Sequence, residues 1–434
     1  MQIASRQYSP LVVAGLLFFI PALILVLADF NYSDPAAAAR DQNLHHLPAI
    51  IAFSQHPGKP ITNDFSPNIP GYYVLFGVVR HWITSSVVGL RLVNLLLTAG
   101  LVCTLALALL PGCPPVLTVF LAGPFLFSDS VFVRGIWLNT DNPAWWAILV
   151  LVLMALHGRT GTLLACTAAG LAAVAAVSIR QNHVWVIPFM LFAAFLGSGQ
   201  RPRIERAAFV RAFAMAAAML PALGIVAWFV FKWHGLVTPR FQRVHQGFSL
   251  SSVPMTFTLI AVFGAFYATT IRCVIRDRWM RDRAGFVRYI KLGLAVGVVA
   301  AVSAHTNYVP WFRDHGIWLI ARSTPVYFGR SLMIALLAMV GGVAASVFLL
   351  VSASRDRWVL SAALIAFLIA QSMHDAEFER YYEPFVLILL ALATSRVVSA
   401  NSGKSPVSWP TIAGPAVLTL LQTIFTIWRL ATPA

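Results

Sequence analysis

Long apolar runs, separated by short polar connections, restrict the fold of this chain more than any other feature. A helix that crosses a bilayer needs about 20 mostly apolar residues. Thirteen runs approach or reach that length, at 10–29, 88–110, 112–128, 142–156, 161–178, 184–198, 209–231, 253–271, 290–305, 331–352, 358–372, 384–395 and 411–428. Charged residues make up 11% of the chain, against about 25% in soluble domains. We therefore predict an all-α, polytopic transmembrane helical bundle of about 13 spans, forming one integral membrane domain over residues 1–434.

The net charge of +16 would suggest nucleic-acid binding in a soluble protein. Here the basic residues lie between apolar runs, as in the cytoplasmic loops of membrane proteins, so we predict no nucleic-acid partner. None of the four cysteines has the CxxC spacing of a metal site, and neither HxxxH nor HExxH occurs. We predict no metal and no cofactor. Most basic residues are arginines, which favours a bacterial inner membrane over the ER membrane.

The distribution of charge along the chain predicts an orientation. With the N-terminus in the cytoplasm, the arginine-rich stretches 201–211 and 272–291 also lie there, as the positive-inside tendency expects. When the connections between apolar runs are numbered along the chain, most acids and histidines fall in the odd-numbered ones, on the opposite side of the membrane. We therefore expect the chemistry on the non-cytoplasmic face. The first and longest of these connections, 30–87, is predicted to carry helices that lie along the membrane surface.

The first connection contains the candidate general base. Asp41 and His45 are four residues apart on a predicted helix and should share a face, while Asp34 precedes that helix. A carboxylate beside histidines at a membrane surface can accept a proton from a substrate hydroxyl. The alternative is that Asp34 or Asp41 caps a helix. His46 adjoins His45, but neighbouring residues on a helix point in different directions.

Two further clusters flank later apolar runs. Asp141 precedes Pro143 and a tryptophan pair, an arrangement typical of a helix that enters the membrane. The polar run Arg180, Gln181 and Asn182 forms a turn on the predicted outer side, where arginine is unusual. Two interpretations of Arg180 remain open. It pairs with a nearby acid such as Asp141 or Glu379, or its planar fork binds a phosphate.

The last two clusters, 305–322 and 374–385, mix acids and basic residues with aromatic rings. Rings that stack on a sugar and polar groups that hold its hydroxyls give such a composition, and so do interfacial aromatics alone. The candidate substrate-binding residues here are Arg313, Asp314, His315, Arg322, Glu379, Arg380 and Tyr381.

Short segments along nearly the whole chain resemble, in the same order, the GT-C superfamily of membrane glycosyltransferases. They are most similar to the dolichyl-phosphate-glucose-dependent α-1,2-glucosyltransferases of N-glycan precursor assembly. The segments are DQNLHHLP at 41–48, ITNDFSPNIPGYY at 61–73, LRLVNLLL at 90–97, TDNPAWW at 140–146, RQNHVWV at 180–186, FRDHGIWLIAR at 312–322 and EFERYYEPF at 377–385. The chain departs from the family where Asp41 precedes Gln instead of a second acid, and where Asn-His follows Arg-Gln.

The resemblance implies a GT-C-like fold and an inverting transfer of one hexose, expected to be glucose, from a polyprenyl-phosphate-sugar donor to a lipid-linked glycan or membrane-proximal acceptor. Asp41, or alternatively Asp34, would be the base. Arg180 and either Arg313 or Arg322 would stabilise the departing phosphate. The remaining implied substrate-binding residues are His45, His46, Asp64, Asp141, Gln181 and Asn182. Membrane lipid is the other expected partner. The alternatives are a transporter or flippase of lipid-linked sugars and a non-catalytic membrane scaffold.

Overall fold

The structure, a computed structural model, describes residues 2–28, 37–56, 65–245, 247–309, 313, 316–374, 377–401 and 409–431. It is nearly all helical, with 81% helix and 1% strand. Among the described residues, seven helices are long and apolar enough to cross a membrane, or up to eight if Pro115–Leu126 and Asp129–Ile136 form one broken span. The all-α prediction is therefore confirmed, and these helices fit a multi-pass membrane protein. The count of about thirteen spans and the GT-C arrangement stay predictions.

Helices occupy every one of the thirteen predicted runs. The helices of the first half are α1 Gln2–Leu27, α2 Ala37–Asp41, α3 Leu47–Gln55, α4 Gly71–Trp82, α5 Val87–Leu109, α6 Pro115–Leu126, α7 Asp129–Ile136, α8 Asp141–Leu156, α9 Leu163–Ile179 and α10 Val186–Leu196. Those of the second half are α11 Arg206–Trp233, α12 Gln242–His245, α13 Ser252–Arg281, α14 Arg283–Ser303, α15 Ile317–Arg322, α16 Leu332–Val351, α17 Ser354–Gln371, α18 Glu383–Ala400 and α19 Trp409–Ala431. Several are too short to cross a core of about 30 Å alone, because an α-helix rises about 1.5 Å per residue.

Shorter elements join these helices. A π-helix covers Gln42–His46, and 3₁₀ turns cover Leu110–Gly112, Gln181–Trp185, Pro239–Phe241 and Glu379–Tyr381. One antiparallel hairpin pairs β1 Val326–Tyr327 with β2 Arg330–Ser331, in the register Val326 to Ser331.

The chain divides into two compact units. Unit 1 contains Met1–Leu11, Ala106–Phe125 and Gly247–Leu421, and unit 2 contains Val12–Leu105, Leu126–Gln246 and Gln422–Ala434. The prediction of a single integral membrane domain stays a prediction.

In unit 2, the helical hairpin of α3 and α4 forms a core next to the first connection. Tyr72, Tyr73 and Phe76 lie within two turns of α4 and are fully buried, and the rings of Tyr72 and Phe76 stack at 4.3 Å. Gly77 allows α3 to approach closely, because a Cβ atom there would lie 2.9 Å from the Cβ atom of Phe53. This packing fixes the position of residues 65–70, which border the candidate site.

In unit 1, α16 packs closely against α14 through small residues. Gly293 and Gly297 are four residues apart on α14 and face Gly342 on α16. A Cβ atom at Gly293 would lie 2.6 Å from the Gly342 carbonyl oxygen. Such small-residue spacing lets helix backbones approach in a membrane, where dispersion contacts replace the hydrophobic drive between helices.

Within each unit, the connections predicted on one side of the membrane contact one another. In unit 2, the Ile69 amide donates to Gln181 Oε1 at 3.1 Å, which joins the first and fifth connections. In unit 1, Arg357 donates to the Tyr289 hydroxyl at 2.9 Å. This bond joins the tenth predicted connection, at 353–357, to the eighth, at 272–289. The polar clusters of each unit gather where its odd-numbered connections meet.

The contact between α14 and α16 generates a prediction. In Gly342→Ala, the new methyl group would lie 2.8–2.9 Å from the backbone of Gly297, so the helices must separate. Overpacking typically costs about 1–3 kcal/mol. We expect a lower melting temperature in detergent. Gly224→Ala in α11 is the control, since its Cβ atom meets nothing within 4 Å. Equal melting temperatures for both variants would contradict the close packing.

Candidate functional site

Two ion pairs flank the Tyr73 hydroxyl in unit 2. Arg134 Nη1 on α7 donates to Asp41 Oδ2 at the end of α2, at 3.1 Å. The guanidinium of Arg180 contacts the carboxylate of Asp141, the first residue of α8. Burial raises the pKa of Tyr73, its hydrogen bond to Ser66 lowers it, and the charges of Arg180 and Asp41 act on it in opposite directions. The first three predicted clusters therefore meet at one site.

The π-helix at Gln42–His46 sends successive side chains to different neighbours. Gln42 Oε1 accepts from Arg91 Nε at 3.1 Å and from the Leu138 amide at 3.0 Å. His45 Nδ1 lies 2.9 Å from the Phe65 carbonyl oxygen, and His46 Nδ1 lies 2.9 Å from the Tyr73 hydroxyl. The prediction that Asp41 and His45 share a face assumed α-helical spacing. The π-helix, which bonds i to i+5, changes that spacing, and such turns are frequent at functional sites.

The turn at 180–183 contains the Gln181 amide, which is hydrogen-bonded within the protein. It also contains two side chains with polar atoms that lack a hydrogen-bond partner among the described residues. Gln181 Nε2 donates to the carbonyl oxygens of Pro67 at 2.8 Å and Leu236 at 3.0 Å, while its Oε1 accepts from Ile69. Its amide is thus fully used within the protein. Within the described part of the chain, Asn182 Oδ1 has no hydrogen-bond partner. Asn182 is therefore better suited than Gln181 to meet a ligand.

His183 is the second group without a partner. Both ring nitrogens lack hydrogen bonds to any described residue, and the ring packs edge-on against Trp145 at 5.1 Å. Burial, and then the positive charge of Arg180, lowers the pKa of His183 well below its usual value. The imidazole is therefore neutral at pH 7.

Sequence reasoning missed two arginines at this site. Arg91, in the second turn of α5, is 1% exposed and lies over the Trp137 ring at 4.0 Å. A charge inside an apolar helix is a signal of function, and it could have been used. Arg134 opposes the positive-inside trend as Arg180 does, so the argument that selected Arg180 applies to it equally.

The fourth and fifth clusters meet in unit 1, around a buried ion pair. Arg313 Nε donates to Glu377 Oε2 at 2.6 Å, Nη1 donates to the Asn307 carbonyl oxygen at 2.6 Å, and Nη2 donates to Ser251 Oγ at 2.8 Å. The guanidinium also lies 4.8 Å from the ring of Trp318. Each of its three nitrogens already meets a protein acceptor. This geometry favours a structural role for Arg313 over the predicted phosphate contact.

The other predicted residues of unit 1 lie in the same two segments, 305–322 and 374–385. Glu379 Oε2 accepts from the Ile317 amide at 2.7 Å, at the start of α15. The Arg380 guanidinium lies 5.3 Å from the Tyr381 ring. Arg322 is exposed and stacks on Tyr308 at 5.0 Å. Of the predicted arginines in this unit, Arg322 is therefore the one presented to solvent.

Four predicted residues lie outside the described residues, namely Asp34, Asp64, Asp314 and His315. Among the residues that are described, no group of three or more His, Cys, Asp or Glu side chains could hold a metal ion.

Comparisons with known proteins identify no relative. No protein-family model matches the chain, and no curated protein or solved structure is significantly similar to it. The likeness to GT-C glycosyltransferases therefore depends on the collinear short segments alone. The function has to be argued from the geometry of the site.

The buried pair of Arg180 and Asp141 predicts strong energetic coupling. Removing one partner of a buried pair typically costs about 3–5 kcal/mol, because the other charge remains buried without compensation. We expect Arg180→Gln and Asp141→Asn each to lower the melting temperature strongly, and the double variant to lower it by less than the sum. The exposed pair Arg203 and Glu205, at 3.8 Å, is the control and should show almost no coupling. Additive losses at 180 and 141 would contradict the ion pair.

His183 predicts a pH dependence of stability. Its pKa is lowered in the folded protein, so the unfolded chain binds the proton more readily. Stability is then unaffected well above the unfolded pKa of about 6.5 and falls below it, by up to about 1.4 kcal/mol per pH unit. His183→Gln should reduce the fall in melting temperature between pH 7.5 and 5.5. His157→Gln, at an exposed position, should leave it unchanged. Parallel curves for all three proteins would contradict the prediction.

Proposed function

We propose that the chain is a membrane glycosyltransferase of the GT-C type. It transfers a hexose, with glucose as the expected sugar, from a polyprenyl-phosphate-sugar to a lipid-linked or membrane-proximal acceptor. The observation that carries the proposal is the environment of Asp41. Its side chain is 27% exposed, whereas that of its partner Arg134 is 6% exposed. A carboxylate that reaches solvent while a buried guanidinium orients it suits a general base.

The resemblance to GT-C enzymes implies the following reaction, with Asp41 as the base. Asp41 accepts the proton of the acceptor hydroxyl while the acceptor oxygen attacks the anomeric carbon. The bond from that carbon to the phosphate oxygen breaks on the opposite side, so the configuration inverts and polyprenyl phosphate leaves. Arg134 orients the carboxylate by donating its Nη1 to Asp41 Oδ2 at 3.1 Å.

The charges of the site favour an anionic donor. Arg91, Arg134 and Arg180 are buried there, against the two carboxylates of Asp41 and Asp141. Among these five side chains, positive charge is therefore in excess by one. A phosphate on the donor compensates that excess, and its charge grows as the sugar–phosphate bond breaks. Fixed positive groups in a water-poor site stabilise such developing charge.

The location of buried charge separates the enzyme from the transporter alternative. A transporter places its ionisable residues near the bilayer midplane. Here Arg91 lies in the second turn of α5, Asp141 begins α8, and Arg180 lies in a turn. This favours an interfacial enzyme. The pair α6 and α7 favours the alternative if it is one broken span, because discontinuous helices form many transporter sites.

The decisive experiment supplies the purified protein with polyprenyl-phosphate-glucose and, separately, polyprenyl-phosphate-mannose, each together with a membrane lipid extract that provides acceptors. Lipid extracts are searched for released polyprenyl phosphate, and the donor that is consumed identifies the sugar. The same protein in sealed vesicles is tested for movement of the donor between leaflets. Movement without release from either donor would replace the enzyme by a transporter.

The general base gives a specific prediction. Asp41→Asn should lower the release of polyprenyl phosphate by about 10²–10⁴-fold, which is typical for loss of a general base. The melting temperature should fall less than in Asp141→Asn, because the Asp41 side chain is partly exposed and the amide oxygen of the variant can still accept a hydrogen bond from Arg134. Asp129→Asn, a carboxylate at the start of α7 in the same unit, is the matched control and should keep the rate.

Asp34→Asn completes the set of variants. If it loses activity while Asp41→Asn retains it, the base is Asp34. Full activity in both would remove the first connection from the chemistry.

A further inference from the structure

A groove lies on unit 1 at the end of α13 that carries the arginine-rich connection. Its volume is about 500 Å³, within the range of about 300–1,000 Å³ typical of ligand sites. Its lining residues on α13 recur at helical spacing from Ala265 through Thr269 and Arg272 to Trp279, so they form one face of the helix. Phe286 of α14 forms the other wall. The groove is thus built by two consecutive helices.

The groove is apolar along most of its length and basic at one part. Ala265, Thr269 and Ile275 provide small or aliphatic surface. Arg272 and Arg276, one turn apart, are exposed along the same face. Apolar surface next to a pair of cations matches a molecule with a hydrocarbon part and an anionic head.

The acids nearest in sequence pair with other arginines. Asp277 lies 3.8 Å from Arg281, and Asp282 lies 3.6 Å from Arg278. Within the described chain, Arg272 and Arg276 form no ion pair with an acid at 4 Å or less. Two cations that border an apolar groove thus keep their charge available to an external anion.

The length of α13 indicates the depth in a membrane at which Arg272 and Arg276 would lie. The helix has 30 residues, so it is about 45 Å long, whereas the hydrocarbon core is about 30 Å thick. Its apolar part ends at Ile271 and Arg272 follows directly. When the apolar part spans the core, Arg272 and Arg276 lie at the level of the lipid headgroups. Trp279 follows, as aromatic residues do at membrane interfaces.

We propose that this groove binds one anionic glycerophospholipid. An acyl chain lies along Ala265 and Thr269, and the headgroup phosphate contacts Arg272 and Arg276. Basic clusters next to a spanning helix attract anionic lipids, and the groove adds a defined seat for the chain. The proposal is independent of glycosyl transfer, because the groove belongs to the predicted cytoplasmic side.

The test measures lipid binding to the purified full-length chain by native mass spectrometry. The probes are phosphatidylglycerol and phosphatidylcholine with the same acyl chains, and inorganic phosphate. We expect tighter binding of phosphatidylglycerol. Each basic side chain near an anionic lipid surface contributes about fivefold in affinity, so Arg272→Gln/Arg276→Gln should bind roughly twenty- to thirtyfold more weakly.

A second variant and a matched control complete the test. Ala265→Phe fills the groove from an exposed position and should weaken lipid binding although both arginines remain. Arg201→Gln/Arg206→Gln removes the same charge from exposed positions in another predicted cytoplasmic connection and should bind normally. An equal loss in this control would show general attraction to a positive surface and overturn the site. Equal affinity for the two lipids, or competition by millimolar phosphate alone, would also overturn it.

Discussion

The desolvation of charge governs the polar architecture of this chain. An ionised group removed from water loses several kcal/mol of hydration, and only a close counter-charge with further hydrogen bonds restores it. The buried arginines described above follow this rule in different ways. Arg180 contacts Asp141, Arg313 contacts Glu377, and Arg91 combines an amide acceptor with the face of Trp137. These contacts join segments that are far apart in sequence, so the same interactions that satisfy the charges also hold the connections together.

The two units satisfy their charges to different degrees. In unit 1, every nitrogen of Arg313 donates to a protein acceptor, and the carboxylate of Glu377 is fully buried. The Arg313–Glu377 pair itself has little capacity for a ligand, whereas the buried Tyr382 hydroxyl beside it lacks a hydrogen-bond partner among the described residues. In unit 2, the carboxylate of Asp41 reaches solvent, and Asn182 and His183 keep polar atoms without described partners. The chemistry of a substrate therefore fits unit 2 better, and the centre of unit 1 reads as a structural link between connections.

The sequence predicts the positions of the helices well. The length of each apolar run is enough to locate a helix, without any assumption about helical periodicity. The sequence also predicts that the polar clusters lie in the odd-numbered connections, and within each unit those connections meet. Local chemistry was harder to predict. Within the π-helix at Gln42–His46, Gln42 accepts hydrogen bonds from α5 and from the Leu138 amide, and the local sequence does not show such tertiary contacts. Likewise, nothing in the local sequence of Gln181 shows that its amide would join Pro67 to Leu236.

The polar atoms of unit 2 that lack described hydrogen-bond partners help to explain which residues form the site. A buried polar atom without a hydrogen bond costs about 1–3 kcal/mol, and a fold that kept only structural contacts would avoid it. His183 carries this cost on both ring nitrogens, beside an arginine that further disfavours its charged form. Replacing it by an apolar residue of similar size would remove the cost at once. An imidazole at this position is therefore explained more readily by a bound species than by packing, in keeping with the function proposed above. Under the proposed function, a sugar hydroxyl would satisfy one of these nitrogens, and part of the stability that they cost the empty protein would then be recovered on binding.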